Sequence, residues 1–474
     1  MPDNKALTAQ EQLEAILTST DRLSVNSAGD LLIEEISASR LLQQFGSPLY
    51  VFSEATLRDN YRRIRSAFTN AWPEPVNIMY AIKANTNLAV RAILHQEGAG
   101  GDCFSEGEIF ATFKAGANPD KIALNGGYKS PASLRLAVEH GIMVNIDADS
   151  EIEQLRNICQ SLDKQVRVNI RLKPLNEAYN QTRTDYFGGD KLAEYVRRVK
   201  WGFSVETALS LIHHIQANPE LQLVGFSFHI GRVGQGTTFF SNYGRALANM
   251  VVEIQRATGF TPQILDIGGG WPRERDPESK SLAMNETPVE RCVQATCEEV
   301  LTALRSAELS IPELWVEPGR FIVGNASVLL STAGTIKNDL GLTWVNIDAG
   351  TNELPRIDTS GSAYHVLAAS GMRRTADQVV DVVGPICIDS LMGRDIHMPA
   401  LQEGDHIVIL DAGMYSESAS TQFNSIPRPA TVLVNGSTAE IIKEREQVSD
   451  VFRQHRIPKR LRQTGIKPLK TKAT

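Results

Sequence analysis

The chain has no apolar run of the roughly 18 residues needed to cross a bilayer. Its first residues, Met1 to Leu7, lack the basic-then-apolar order of a secretory leader. A soluble, cytoplasmic protein without membrane contact is expected. Cysteine is scarce, with five in all: Cys103, Cys159, Cys292, Cys297 and Cys387. An odd number of widely scattered thiols does not make a disulfide framework, and no close pair has the spacing of a zinc site, so no metal is expected. Positive charge is not in excess either. Lys plus Arg number 48 against 55 Asp plus Glu, a formal charge of −7, and no arginine-aromatic stripe suggests a nucleic-acid partner.

What is present is a regular rhythm. From Pro48 onward, apolar strand-like runs alternate with helical stretches, the pattern of a parallel sheet. Strands are expected at 76–82, 99–103, 121–125, 142–146, 166–171, 222–229, 262–267 and 312–317. Eight such units close a (β/α)8 barrel. After Arg320 helices fade, and runs at 322–324, 327–330, 343–347, 378–383, 406–410 and 431–433 read as strands of a separate β domain. The expected division is an N-terminal extension at 1–25 with a loosely docked helix, strands packing on the β domain at 26–45, the barrel at 46–320, the β domain at 321–455, and a basic, disordered tail at 456–474.

The ends of the eight strands carry the chemistry. In order they deliver Lys83, Asp102 with Ser105, Asn125, Asp147, Arg171, His229, the run Gly268-Gly269-Gly270, and Glu317-Pro318-Gly319-Arg320. A parallel barrel brings all these ends to one face. Singly they mean little. A lysine at a strand end usually snorkels, a histidine is usually a satisfied core residue, and three glycines can be a tight turn alone. Together they place an amine nucleophile, a glycine loop whose N–H groups can approach an anion, a guanidinium fork and a carboxylate on one rim. The glycine run lacks the spacing of a dinucleotide fingerprint, and no Walker lysine follows it. The set suits pyridoxal 5′-phosphate (PLP): an amine for a Schiff base, a phosphate pocket, and a carboxylate for the pyridine nitrogen.

Six motifs in register carry a family resemblance: Tyr80-Ala81-Ile82-Lys83-Ala84-Asn85, Phe228-His229-Ile230-Gly231, Leu265-Asp266-Ile267-Gly268-Gly269-Gly270, Glu317-Pro318-Gly319-Arg320, Val383-Gly384-Pro385-Ile386-Cys387 and Asp411-Ala412-Gly413-Met414-Tyr415. They resemble the alanine-racemase-like (fold type III) PLP enzymes and, within them, the diaminopimelate and ornithine decarboxylase family, most closely the diaminopimelate branch. The resemblance implies a barrel followed by a β domain and a head-to-tail homodimer with shared active sites. It implies Lys83 as the Schiff-base lysine, His229 as the ring-stacking residue and Glu317 as the pyridine partner. Gly268, Gly269, Gly270, Arg320 and Tyr415 would hold the phosphate, and Asp102, Arg171 and Gly319 complete the expected cofactor set. Cys387, from the second subunit, would protonate the carbanion left after CO₂ departs. Arg320, Arg356, Asp389 and Tyr415 are the expected substrate contacts.

Three departures from the family pattern bear on substrate. Arg356 follows Asp348-Ala349-Gly350-Thr351-Asn352 at the distance expected for a distal-carboxylate binder, but the family's proline is displaced to Pro355 and its tyrosine is replaced by Ser360. The family's C-E-S becomes Cys387-Ile388-Asp389-Ser390, and the serine after H-I-G becomes Arg232. The first expectation is decarboxylation of meso-diaminopimelate to L-lysine. The alternative is a paralogue acting on D-lysine, D-ornithine or a conjugated diamino acid. A racemase, or a non-catalytic homologue, ranks below both, since the resemblance gives racemases an arginine where this chain has Glu317.

Overall fold

The computed structural model describes residues 6–174, 194, 197–229 and 236–461. Eight parallel strands form a closed barrel: Val76–Ala81, Gly100–Cys103, Ile122–Leu124, Met143–Ile146, Val166–Leu172, Leu221–Phe228, Ile264–Asp266 and Glu313–Val316. Neighbours in sequence are neighbours in space, and the eighth strand returns to the first with Leu314 opposite Val76. All eight expected strands are therefore found, displaced by no more than two residues at either end.

Helices pack outside the barrel because their apolar residues recur with helical period. In Val289–Ser306 the buried positions are Val289, Cys292, Val293, Thr296, Cys297, Val300, Leu301 and Leu304, a single stripe. Each fully buried aliphatic side chain there contributes about 1.5–3 kcal/mol. The stripe faces helix Thr237–Thr258, where a Cβ on Gly244 would lie 2.4 Å from the Thr296 carbonyl oxygen, so only glycine allows the approach. Serine and asparagine start several barrel helices: Ser53, Asn87, Ser105, Ser130 and Ser204 each accept a backbone N–H of the first turn.

A mixed sheet forms the second unit, in the order Leu391–Met398, Gln378–Val383, Leu342–Ile347, Ser327–Asp339, Leu49–Ser53, Ala430–Asn435 and Thr438–Lys443. Val366–Ala368 and His406–Ile409 pair alongside. Two expectations are corrected here. The barrel range began at 46, yet Leu49–Ser53 lies inside this sheet, antiparallel to Ser327–Asp339 and parallel to Ala430–Asn435. Its continuous apolar character fits any strand buried on both faces, so composition alone did not say which sheet it enters. Residues 322–324 were read as strand, but Arg320–Val323 is a helical turn; short apolar runs do not distinguish the two.

The N-terminal residues are docked rather than loose. Helix Ala9–Glu14 starts with a reciprocal cap between Thr8 and Glu11 and buries Ala9 and Leu13. The small sheet of Leu23–Val25, Leu31–Ile33 and Ile36–Ser37 shares one apolar cluster with Val328, Val408 and Val432 of the large sheet. Residues 462–474 of the expected tail lie outside the described residues.

Candidate active site

Lys83 sits in a single helical turn, Ile82–Ala84, directly after the first barrel strand. Its Nζ donates to Asp102 Oδ2 at 2.8 Å, at the end of the second strand, and lies 4.6 Å from the Phe104 ring centroid. Burial lowers the amine's pKa, but the charges of Asp102 and Glu317 outweigh it, and the net shift is upward. Lys83 is an ammonium in this arrangement.

Asn125, after the third strand, ties the carboxyl groups together. Its Nδ2 donates to Asp102 Oδ1 at 2.7 Å and to Glu317 Oε1 at 2.8 Å. Behind it the Asn145 amide donates to Asn125 Oδ1 at 2.8 Å, and the Asn169 amide to Asn145 Oδ1 at 3.1 Å. Three buried amides thus point their donors toward two carboxyl groups, a chain whose dipoles favour negative charge at its head. Burial pushes the Glu317 carboxyl up, but the charges of Lys83 and Arg171 draw it down, and the net shift is downward. Arg171, closing the fifth strand, is buried with its guanidinium 5.6 Å from the Trp201 ring centroid.

His229 follows the sixth strand. Its Nδ1 lies 3.1 Å from the Gly269 N–H and 3.4 Å from Glu317 Oε2. One nitrogen cannot accept from the first and donate to the second. The backbone hydrogen of Gly269 is fixed in direction and closer, so Nδ1 accepts and the ring is neutral, as burial also favours.

The glycine run is required by close approach. Gly268 has φ +70°, and a Cβ there would lie 2.3 Å from the Phe228 carbonyl oxygen; one on Gly269 would lie 2.3 Å from that of Glu317. Gly319 has a related use, since a Cβ on it would press to 3.0 Å against both Ala81 and Ala84 beside the Lys83 turn. Arg320 is buried, donates to the Gly270 carbonyl at 2.8 Å and pairs with Asp276 at 3.0 Å. Its Nε has no partner among the described residues.

Loops of the second unit complete the rim. The Tyr415 N–H donates to the Ala84 carbonyl at 2.8 Å, and the Ser418 hydroxyl to that of Lys83 at 3.2 Å. Arg356 lies 4.6 Å from the Tyr415 ring centroid and pairs with the buried Glu278, whose other oxygen is 3.5 Å from Arg320. Cys387 and Asp389 are not brought to this cluster. Both are exposed on the loop between Val383 and Leu391, where the Cys387 N–H donates to Asn424 Oδ1 at 3.0 Å. Arg232 lies outside the described residues.

The residues present fit PLP: a lysine amine, a carboxylate held ionised, a glycine turn with no room for side chains, and a buried guanidinium nitrogen without a partner. Asn145, Asn169 and Glu278 were missing from the expected site, and Asn125, placed at the rim as a strand end, had been given no role. An asparagine inside an otherwise apolar strand, as in Met143-Val144-Asn145-Ile146, was the signal available.

The comparisons with known proteins agree with this geometry. Residues 54–324 match the family described as pyridoxal-dependent decarboxylase, pyridoxal binding domain. The chain is 34% identical to a diaminopimelate decarboxylase of Methanothermobacter thermautotrophicus, over 93% of this chain and 98% of that one. It is 31% identical to one of Archaeoglobus fulgidus, over 91% and 98%. The crystal structure of the Methanocaldococcus jannaschii diaminopimelate decarboxylase superposes with a TM-score of 0.83 at 25% identity, covering 93% of this chain and 99% of that one. The chain belongs to the pyridoxal-dependent decarboxylase family, enzymes that use PLP to remove CO₂ from amino acids. No helix among the described residues is long and apolar enough to cross a membrane.

Proposed function

We propose that this chain decarboxylates meso-diaminopimelate to L-lysine, in the cytoplasm and as a homodimer. The observation that carries the reading is the continuous contact from Lys83 through Asp102 and Asn125 to Glu317, with Arg320 and Arg356 bridged by Glu278 beside it. Relatives sharing about a third of their residues over nearly the whole chain are diaminopimelate decarboxylases, and the M. jannaschii enzyme has been crystallised with L-lysine.

When bound, PLP supplies an electron sink for the pair left on Cα as the Cα–carboxylate bond breaks and CO₂ leaves. The chain's own residues do the rest. Lys83 supplies the amine that holds the cofactor, and Asp102 fixes that amine at one end of the site. Glu317 is ionised and positioned by Asn125, so it holds a proton on the pyridine nitrogen. His229, neutral and fixed by the Gly269 N–H, offers a flat face for the ring. The Gly268–Gly270 turn, Arg320 and Tyr415 receive the phosphate, with Arg171 adding positive charge to the pocket. Arg356 receives the distal carboxylate. Cys387 and Asp389 lie on an exposed loop, where a second copy of the chain brings them to its neighbour's site, the cysteine giving the proton that replaces CO₂.

The Arg356–Glu278 ion pair favours a second reading. An arginine already matched by a buried carboxylate has less positive charge to offer, which suits a diamino acid without a distal carboxylate, such as D-lysine or D-ornithine. CO₂ release by PLP-loaded protein from meso-diaminopimelate, D- and L-lysine, and D- and L-ornithine separates the two. Turnover of meso-diaminopimelate alone supports the first; turnover only of substrates lacking the distal carboxylate rejects it.

A further inference from the structure

Asp266 ends the seventh barrel strand and is fully buried. Its Oδ1 accepts the Gly268 N–H at 2.9 Å, while its Oδ2 has no hydrogen-bond donor among the described residues. In register beside it are Ser227 on the sixth strand and Trp315 on the eighth, the latter two positions before Glu317 on the same face. Gly268 joins the two residues, its N–H donating to Asp266 Oδ1 and its carbonyl accepting the Glu317 N–H at 2.9 Å. Two neighbouring buried carboxyl groups repel when both are ionised.

We propose that Asp266 is a positioning residue: it keeps its proton and donates it from Oδ2 to Glu317, fixing that carboxylate for the pyridine nitrogen while leaving it ionised. One shared proton accounts for the orphaned oxygen. The groups around it agree. Tyr243 is no donor to Asp266, because its hydroxyl donates to the Ile267 carbonyl at 2.7 Å. His229 is neutral. The pKa shifts divide the pair the same way, with burial and the Glu317 charge raising Asp266 well above the usual carboxylate range and Glu317 held low. An un-ionised acid beside an ionised one is also a donor that a neutral amide can replace.

Infrared difference spectroscopy of the apoprotein reads this proton without reference to turnover. Spectra are taken at about pH 7 as wild type minus variant, so that bands of carboxyl groups common to both cancel. Asp266→Asn is expected to delete one carboxylic-acid C=O band and no carboxylate band. Deletion of a carboxylate band instead overturns the proposal. Glu317→Gln gives a second reading if Asp266→Asn does not fold: the acid band shifts in frequency as its acceptor changes, and an unchanged acid region overturns the proposal. In absorbance titrations with PLP, Asp266→Leu is expected to weaken binding by about tenfold or more, and Asp266→Asn to restore it to within about threefold of wild type. Equal losses in both variants contradict a hydrogen-bond role for the proton.

Discussion

Asn125 and Glu317 are 192 positions apart in sequence and 2.8 Å apart in the structure, the amide of one donating to the carboxylate of the other. The same nitrogen donates to Asp102 at 2.7 Å, so one side chain connects the ends of the second and eighth strands, where the barrel closes on Lys83. Losing it leaves two buried carboxyl oxygens short of a donor, at about 1–3 kcal/mol. Asn125→Ala is expected to lower the midpoint of urea unfolding and to weaken PLP binding by about tenfold, measured by absorbance titration. Unchanged PLP affinity would mean that Asn125 only holds the barrel together.

Lys83→Ala removes the amine at the centre of the cluster. Its turnover is expected to fall by about 10³-fold or more, with the fold kept as judged by circular dichroism, because the side chain ends at a partly open rim. A loss of less than about tenfold would place the reacting amine elsewhere.

Two carboxyl groups set opposite pH trends in stability. Glu317 is held below its unfolded value, so its contribution is complete above about pH 5 and is lost as pH falls through the carboxylate range. Glu353 is pushed up to about 7 by burial, so its contribution is complete below about pH 4 and lost as pH rises through 7. Glu353→Gln should therefore raise stability at pH 8 by up to about 3 kcal/mol and change it little at pH 4. Thermal midpoints at the two pH values check this, and an equal effect at both would refute it.

Arg356→Ala is expected to raise the KM for a substrate with a distal carboxylate by about tenfold or more, with little change in PLP affinity. A parallel loss of PLP affinity would assign Arg356 to the cofactor.

Much of this was readable along the chain and some was not. The strand ends were, because a parallel barrel turns eight local patterns into one rim, and Lys83, Asp102 and Glu317 meet there within 3 Å contacts of one another or of Asn125. Leu49–Ser53 fell inside the range expected for the barrel and was not read as a strand, since pairing partners more than 270 positions away leave no trace in a local apolar run. Glu278 was invisible for a similar reason: it lies in the short polar turn Pro277–Ser279, and its meaning comes from two arginines that open different helical turns. Cys387 and Asp389 lie exposed on a loop of this chain, away from the Lys83 cluster, which the local sequence did not show.

Complementation between variants tests the shared site. Lys83→Ala mixed with Cys387→Ala after dissociation and reassociation should recover about one quarter of wild-type activity, since half the dimers are mixed and each has one intact site. No recovery would mean that each chain's site is complete in itself.

The most direct measurement is the stoichiometry of CO₂ and lysine formed from meso-diaminopimelate by the PLP-loaded protein, beside Lys83→Ala. One CO₂ per L-lysine from wild type, and none from the variant, is the predicted result. Loss of optical rotation without gas, or gas release that survives loss of Lys83, would contradict a Lys83-centred decarboxylase.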